Sequence, residues 1–241
     1  MNTTNPTLSV RGIEVEVVYK DIKNLHIGVY PPLGRVRVAA PQRLDEEQIR
    51  LAVIQRLPWI KRHRQQLQEA ARQTPREMVT GESHYVWGVR YRLKVIERSG
   101  NARITLNGDR LQLFIPTGST KETRYLLLQD WQRSELRHRL HTVIPKWEPI
   151  IGREVPFWSI RRMKTRWGSC NPERGRIWFN LELVKKDPRC LEYVVAHEMV
   201  HLLERHHGEA FVAYMDRFLP GWRLRHDELN RAPLGHEEWD Y

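Results

Sequence analysis

Apolar and polar residues alternate along much of the first half of the chain, a pattern typical of half-buried β-strands. The clearest case is the run Ile-Glu-Val-Glu-Val-Val-Tyr at residues 13–19. Asp45 introduces a different pattern, in which apolar residues recur at helical spacing until Pro58 breaks or kinks the helix. Residues 1–118 are therefore predicted to form an α+β region rich in β-hairpins. Its further predicted strands cover residues 25–30, 35–39, 85–96, 103–106 and 111–115.

The second half of the chain is predicted to form a separate region, residues 119–241, with a soft boundary near Gly118 and Ser119. A long helix is expected over residues 121–147, because its apolar positions recur at helical spacing. Strands are expected at residues 154–163 and 176–183. We find no sequence repeat and no low-complexity segment.

A further helix, predicted from its apolar spacing, contains the candidate catalytic residues. Asp187 is a favourable N-cap and Pro188 is favourable at the first helical position, so the helix is predicted to begin there. A buried face follows, formed by Leu191, Val194, Val195, Met199, Leu202 and Leu203. The polar face beside it is then free to hold a site.

That polar face contains the sequence His197-Glu198-Met199-Val200-His201. Histidines one helical turn apart lie on the same face and are able to bind one metal ion. Glu198 lies close enough to reach a water activated by that ion. This is the H-E-x-x-H arrangement of zinc hydrolases, with two ligands and a general base on one helix.

A catalytic zinc ion usually takes three protein ligands, so a third ligand is expected nearby. His207 has the spacing of the third histidine in the pattern H-E-x-x-H-x-x-G-x-x-H, and His206 is the competing residue. That pattern has glycine where this chain has Glu204, so the helix is expected to end within another turn. Glu209 and Asp216 are weaker carboxylate alternatives.

The motif and its surroundings resemble the YgjP-like zinc metallopeptidase domain, a family related to the SprT-like and WLM zincins. The resemblance covers the last third of the chain closely and the earlier part in outline. It is carried by residues 163–170 (Met-Lys-Thr-Arg-Trp-Gly-Ser-Cys), 177–181 (Ile-Trp-Phe-Asn-Leu), 193–201 with His207 and Phe211, and 220–222 (Pro-Gly-Trp).

The resemblance implies a zincin-like fold with His197, His201 and His207 on zinc and Glu198 as the general base. The chain is thus predicted to be a metallopeptidase that cleaves peptide bonds with a zinc-activated water. Zincins pair an extended peptide with an edge strand, and we assign that part to the predicted strand 176–183.

Three polar residues near the motif are predicted to contact substrate or the oxyanion: Arg166, Asn180 and Tyr193. Trp167 and Trp178 are expected in the core rather than as substrate platforms. Cys170 and Cys190 are expected to be reduced thiols in a cytoplasmic protein, because the chain shows no export signal and no long apolar run.

The net charge of +11 and the isoelectric point near 9.9 predict a strongly positive field. Contact with nucleic acid through the basic surface is one consequence, and contact with a membrane is not expected. Two further functions stay open. One is a zinc-dependent nucleotide pyrophosphatase, acting for example on UTP, with a basic run ahead of the site. The other is a DNA-associated protease of the SprT-like kind.

Overall fold

We describe residues 6–30, 34–69, 76–163 and 166–231 of a computed structural model. Helices and small sheets are mixed along the whole described chain, so the predicted α+β class is confirmed. The described residues fall into two compact units, one within Met1–Thr74 and the other within Pro75–Leu234. None of the described helices is both long and apolar enough to cross a membrane.

The first unit is a four-stranded sheet followed by two helices. The strand order is β1-β2-β4-β3, with β2 and β4 parallel and both outer pairs antiparallel. Asp45 caps α1 in a reciprocal capping box with Gln48, as an N-cap aspartate predicts. The elements are β1 (Thr7–Val10), β2 (Ile13–Lys20), β3 (His26–Tyr30), β4 (Arg35–Pro41), α1 (Glu46–Gln55) and α2 (Leu57–Glu69).

The second unit opens with a sheet of the same design. Its order is β5-β6-β8-β7, again with a parallel central pair and antiparallel outer pairs. The strands are β5 (Ser83–Val86), β6 (Val89–Glu97), β7 (Arg103–Asn107) and β8 (Arg110–Ile115). The structure therefore repeats an arrangement that the sequence does not reveal as a repeat.

Both sheets begin with a tight hairpin that uses the same backbone conformation. Arg11 and Gly12 have φ of 48° and 77°, and Trp87 and Gly88 have φ of 50° and 80°. Two consecutive positive φ values define the hairpin turn whose twist matches that of the flanking strands. The turn at Trp87 divides the single predicted strand 85–96 into β5 and β6.

The rest of the second unit packs helices on one face of a smaller sheet. Its elements are α3 (Lys121–Ile151), β9 (Phe157–Arg161), β10 (Gly168–Asn171), β11 (Arg176–Asn180), α4 (Pro188–Val200), α5 (Glu209–Phe218) and α6 (Trp222–Arg231). The boundary expected near Gly118 falls inside this unit. Leu128 of α3 packs with the sheet β5–β8, whereas Leu136 of the same helix packs with α4. A division there would separate α3 from its contacts with the sheet β5–β8.

The small sheet has the order β10-β11-β9, so β11 is its central strand. The assignment of the predicted strand 176–183 as a substrate-binding edge is therefore wrong, because β10 and β9 occupy both sides of it. Ile177 and Phe179 point into the core, and the alternation places Trp178 on the opposite face. Trp178 is half-buried there rather than part of the core.

Candidate metal centre

The helix α4 begins as predicted and delivers the motif to one end of the core. The Asp187 carboxylate accepts a hydrogen bond from the backbone N–H of Arg189, and Pro188 occupies the first turn. The apolar stripe from Leu191 to Met199 is buried. The helix ends at Val200, with His201 as its C-cap.

Three histidines converge just beyond the end of α4. His197, His201 and His207 each offer a ring nitrogen, and these atoms all lie within 4.8 Å of one another. The Nε2 atoms of His197 and His207 are 3.1 Å apart. Two ligands of a tetrahedral zinc ion at about 2.0–2.1 Å would lie roughly 3.3 Å apart, so the spacing fits a metal site.

Hydrogen bonds orient two of the three rings. His201 Nδ1 lies 3.0 Å from the carbonyl oxygen of Glu204, and His197 Nδ1 lies 3.4 Å from the hydroxyl of Tyr193. With a proton on each Nδ1, both rings donate outward and turn the Nε2 lone pair toward the centre. This arrangement is characteristic of metal-binding histidines.

Burial keeps two of these imidazoles neutral. Loss of solvation lowers the pKa of His197 to about 3 and also lowers the pKa of His201. A neutral imidazole is the form that binds a metal ion. The donor set therefore suits a cation in both geometry and protonation state.

The structure brings His207 into the cluster and leaves His206 outside it. The Glu204 side chain accepts a hydrogen bond from the backbone N–H of His206, and this holds the turn that follows α4. Glu209 only begins α5, and the Asp216 carboxylate is bound by Trp222 and Arg223. Neither carboxylate belongs to the metal-binding group.

Phe211 of α5 packs against the three histidine rings. Its ring centroid lies 4.9 Å from that of His197, 4.7 Å from that of His201 and 4.7 Å from that of His207. Phe211 is itself buried. One aromatic side chain thus packs against all three imidazoles and limits their rotation.

Glu198 lies beside the cluster and is nearly sealed from solvent, with 6% of its surface exposed. Burial raises the pKa of its carboxyl to about 8, and the positive charge of Arg166 partly opposes that rise. A buried carboxylate with a raised proton affinity is suited to accept a proton. No hydrogen bond to another side chain competes for it among the described residues.

Gly168 of β10 makes room for this carboxylate. A Cβ atom at Gly168 would lie 2.5 Å from Glu198 Oε1 and 2.6 Å from Glu198 Cγ. Both distances are far below ordinary van der Waals contact. A side chain at residue 168 would therefore displace Glu198 rather than leave it in place.

We expect Gly168→Ala to lower kcat by about tenfold or more while the protein still binds its metal, because a small misplacement of a reacting group is costly. Gly208→Ala is the matched control, since a Cβ there meets no atom within 4 Å. Metal content, unfolding temperature and peptide hydrolysis are measured for both variants. Full activity of Gly168→Ala would contradict this role of the glycine.

The cluster opens into a cleft of about 610 Å³. Arg166 and Tyr193, two of the predicted contact residues, line this cleft. Asn180 does not line it and is fully buried. Its amide donates to the backbone carbonyls of Met163 and Arg166 and accepts from the backbone N–H of Glu182, so it shapes the segment before β10.

Several polar residues of the cleft are not predicted from the sequence, and His226 and Arg205 are two of them. His226 of α6 lines it and lies near the rings of Tyr193 and Trp222. Arg205 also lines it and pairs with Glu173 at 3.3 Å. Neither residue belongs to a local motif, because α6 and the turn after α4 meet the cleft only in the folded chain.

Cys170 also faces the cleft but has no features of a nucleophile. Burial, with a smaller effect from Glu198, raises the pKa of its thiol to about 12. Cys170 and Cys190 are both free thiols, as expected. A thiol that stays protonated is a poor nucleophile.

Three convergent imidazoles beside a buried glutamate define a metal-dependent hydrolase site. The family model described as YgjP-like, metallopeptidase domain, matches residues 23–232. The chain therefore belongs to the YgjP-like metallopeptidase family, and both the predicted family and the predicted enzyme class are confirmed.

Comparison with other proteins adds little to this assignment. The metallopeptidase zymogen of Pyrococcus abyssi abylysin is similar to part of the chain, with 19% identity and a TM-score of 0.35. The match covers 37% of this chain and 90% of that one. No curated protein matches the chain.

Proposed function

We propose that this metallopeptidase is a zinc enzyme that cleaves peptide bonds with Glu198 as its general base. The observation that carries the proposal is the position of a buried carboxylate on the same helix as two of three convergent imidazoles. Three nitrogen donors favour zinc over magnesium or calcium, which prefer oxygen ligands. When bound, zinc would supply Lewis-acid chemistry that polarises the scissile carbonyl and makes water more acidic.

Proton transfer and stabilisation of the oxyanion are assigned to side chains of the protein. Glu198 takes the proton of the attacking water and transfers it to the leaving amine. Tyr193 has a pKa raised to about 12, chiefly by burial, so its hydroxyl stays protonated. That hydroxyl and the exposed guanidinium of Arg166 are two groups in the cleft that are suited to donate hydrogen bonds to an oxyanion.

The edge strand β10 supplies a surface for an extended substrate. The backbone N–H of Asn180 donates to the carbonyl of Trp167, so these two residues form a hydrogen-bonded pair. Antiparallel pairs alternate, which turns the backbone groups of Gly168 and Cys170 toward the open edge. A peptide that adds there would lie beside Glu198.

We expect Cys170→Pro to raise KM for peptide substrates by about tenfold, because proline removes the outward N–H that a bound peptide would use. Cys170→Ala loses the thiol but keeps this N–H, so it controls for packing. Steady-state kinetics on a fluorogenic peptide separates the two. Equal KM values for the two variants would exclude pairing at this strand.

The nucleotide alternative has less support in the cleft. Of the basic residues ahead of the site, Arg166 lines the cleft, whereas Arg161 lies on the ring of Trp178 and Arg162 near the ring of Tyr125. One arginine rather than a cluster therefore faces the histidines among the described residues of this run. Lys164 lies outside the described residues. The test is hydrolysis of unfolded casein and of UTP by the zinc-loaded protein, each with and without a chelator. Chelator-sensitive UTP hydrolysis without proteolysis would replace the peptidase proposal.

A further inference from the structure

We propose that the outer face of the small sheet β10-β11-β9 is a binding platform for single-stranded nucleic acid. We define this face by six outward residues, Phe157, Ser159, Arg161, Ser169, Arg176 and Trp178. It is distinct from the inner face, which packs against α3 and α4 around Ile177 and Phe179.

Strand pairing places aromatic and cationic side chains next to each other on this face. Phe157 of β9 is opposite Arg176 of β11, and the Arg176 guanidinium lies 5.2 Å from the ring centroid of Phe157. The Arg161 guanidinium lies 4.6 Å from the ring of Trp178. Two aromatic residues thus each have an arginine over the ring, which is how base-stacking surfaces combine π faces and positive charge.

Trp178 is half-buried, and its cross-strand neighbours are small. They are Ser159 on β9 and Ser169 on β10. The indole Nε1 is buried and has no hydrogen-bond partner among the described residues, so only the ring itself is offered to a ligand.

The charge of the face selects an anionic partner. None of the three strands contains an aspartate or a glutamate. Among the described residues, neither Arg161 nor Arg176 forms an ion pair. The whole chain carries a net charge of +11, so its field attracts a polyanion to this face.

The aromatic residues favour single strands over duplexes. Phe157 is 45% exposed and lies diagonally across the sheet from Trp178, because Phe157 pairs with Arg176 and Trp178 pairs with Ser159. Unpaired bases are free to stack on two such rings, whereas the bases of a duplex are already stacked on each other. Open sheet faces with two or three aromatic residues recognise single strands in this way.

The test is the binding of labelled oligo(dT) and oligo(rU) to the full, zinc-loaded chain, followed by fluorescence anisotropy. We expect Arg161→Glu/Arg176→Glu to weaken oligo(dT) binding by about tenfold or more. The slope of log affinity against log salt should also become shallower by about one. The two oligonucleotides distinguish DNA from RNA as the preferred strand.

A matched control exists in the same unit. Arg98 and Arg103 lie 4.6 Å and 4.9 Å from the ring centroid of Phe114, which belongs to the sheet β5-β6-β8-β7. The double variant Arg98→Glu/Arg103→Glu therefore makes the same change of charge at the same kind of arginine–aromatic contact, away from the proposed platform. We expect the affinity of that variant for oligo(dT) to fall by less than about threefold, because only the overall field of the protein changes. Equal losses in both double variants would overturn the proposal.

Phe157→Ala gives an independent reading that does not change the charge. Its side chain is exposed, so folding should survive, and thermal unfolding checks this. Loss of one stacked base predicts about tenfold weaker binding of single strands. Unchanged oligonucleotide affinity for Phe157→Ala, or tighter binding of duplex DNA than of either single strand, would also overturn the proposal. None of these readouts depends on peptidase activity.

Discussion

Glu198→Gln should keep its metal and lose its turnover. Glutamine has the shape of glutamate, so it fits the space that Gly168 leaves open, and it lies outside the ligand set. It is unable to accept the proton of the attacking water. General base catalysis typically contributes about 10²- to 10⁴-fold, and we expect kcat to fall by that factor.

The measurement pairs kcat with metal content and unfolding temperature. We expect the unfolding temperature to stay the same or rise, because a neutral amide is easier to bury than a carboxylate. Glu192→Gln is the matched control. It makes the same chemical change on the same helix, where Glu192 forms only a surface pair with Lys146, and such pairs contribute little to stability.

Two results would contradict the assignment of the base. An active Glu198→Gln enzyme would show that another group takes the proton. Loss of metal in that variant would show that the carboxylate helps to hold the ion, so a fall in turnover would no longer report on proton transfer. The prediction is met only if activity falls while metal content is retained.

The metal helix could be predicted from sequence because every signal that defines it is local. The N-cap, the proline after it, the apolar stripe and the histidine spacing all lie within one short segment from Asp187 to His207. Each of these features acts through neighbours in sequence. The structure therefore reproduces the helix start and the convergence of the histidines.

The walls of the cleft depend on contacts between segments that are distant in sequence. Local patterns therefore do not predict which strand and which polar residues line the cleft. The strand β10 has four residues with no apolar alternation, so the sequence does not predict the strand that lies beside Glu198 and points to β11 as the edge instead. Asn180 is a predicted substrate or oxyanion contact, but the structure buries it outside the cleft. Its actual partners are backbone groups that only folding brings to it.

The repeat of the four-stranded sheet is a second feature that residue identities do not reveal. Both four-stranded sheets share order and direction, yet most matching positions of their strands carry different residues, with Val10 and Val86 before the first turn an exception. What they share is the pair of positive φ values in the first turn and the alternation that buries one face. Such a repeat is preserved in backbone geometry and pattern, which a comparison of residue identities does not detect.

His207→Ala and His206→Ala form the most discriminating pair for the metal centre. His207 provides one of three convergent nitrogens, whereas His206 interacts with Glu204 through its backbone N–H. Loss of an outer-shell partner alone costs about 10–100-fold in metal affinity, so removal of a direct ligand should cost more than about 100-fold. His206→Ala should retain the affinity of the wild-type protein.

Competition with a chromogenic chelator measures zinc affinity in both variants, and unfolding temperature in the absence of metal checks the fold. The turn after α4 should survive in both, because its hydrogen bond from residue 206 to Glu204 uses the backbone. If His206→Ala lost zinc and His207→Ala kept it, the third ligand would be His206. The turn would then have to rotate in the metal-bound protein, since its present conformation brings only His207 within reach of His197.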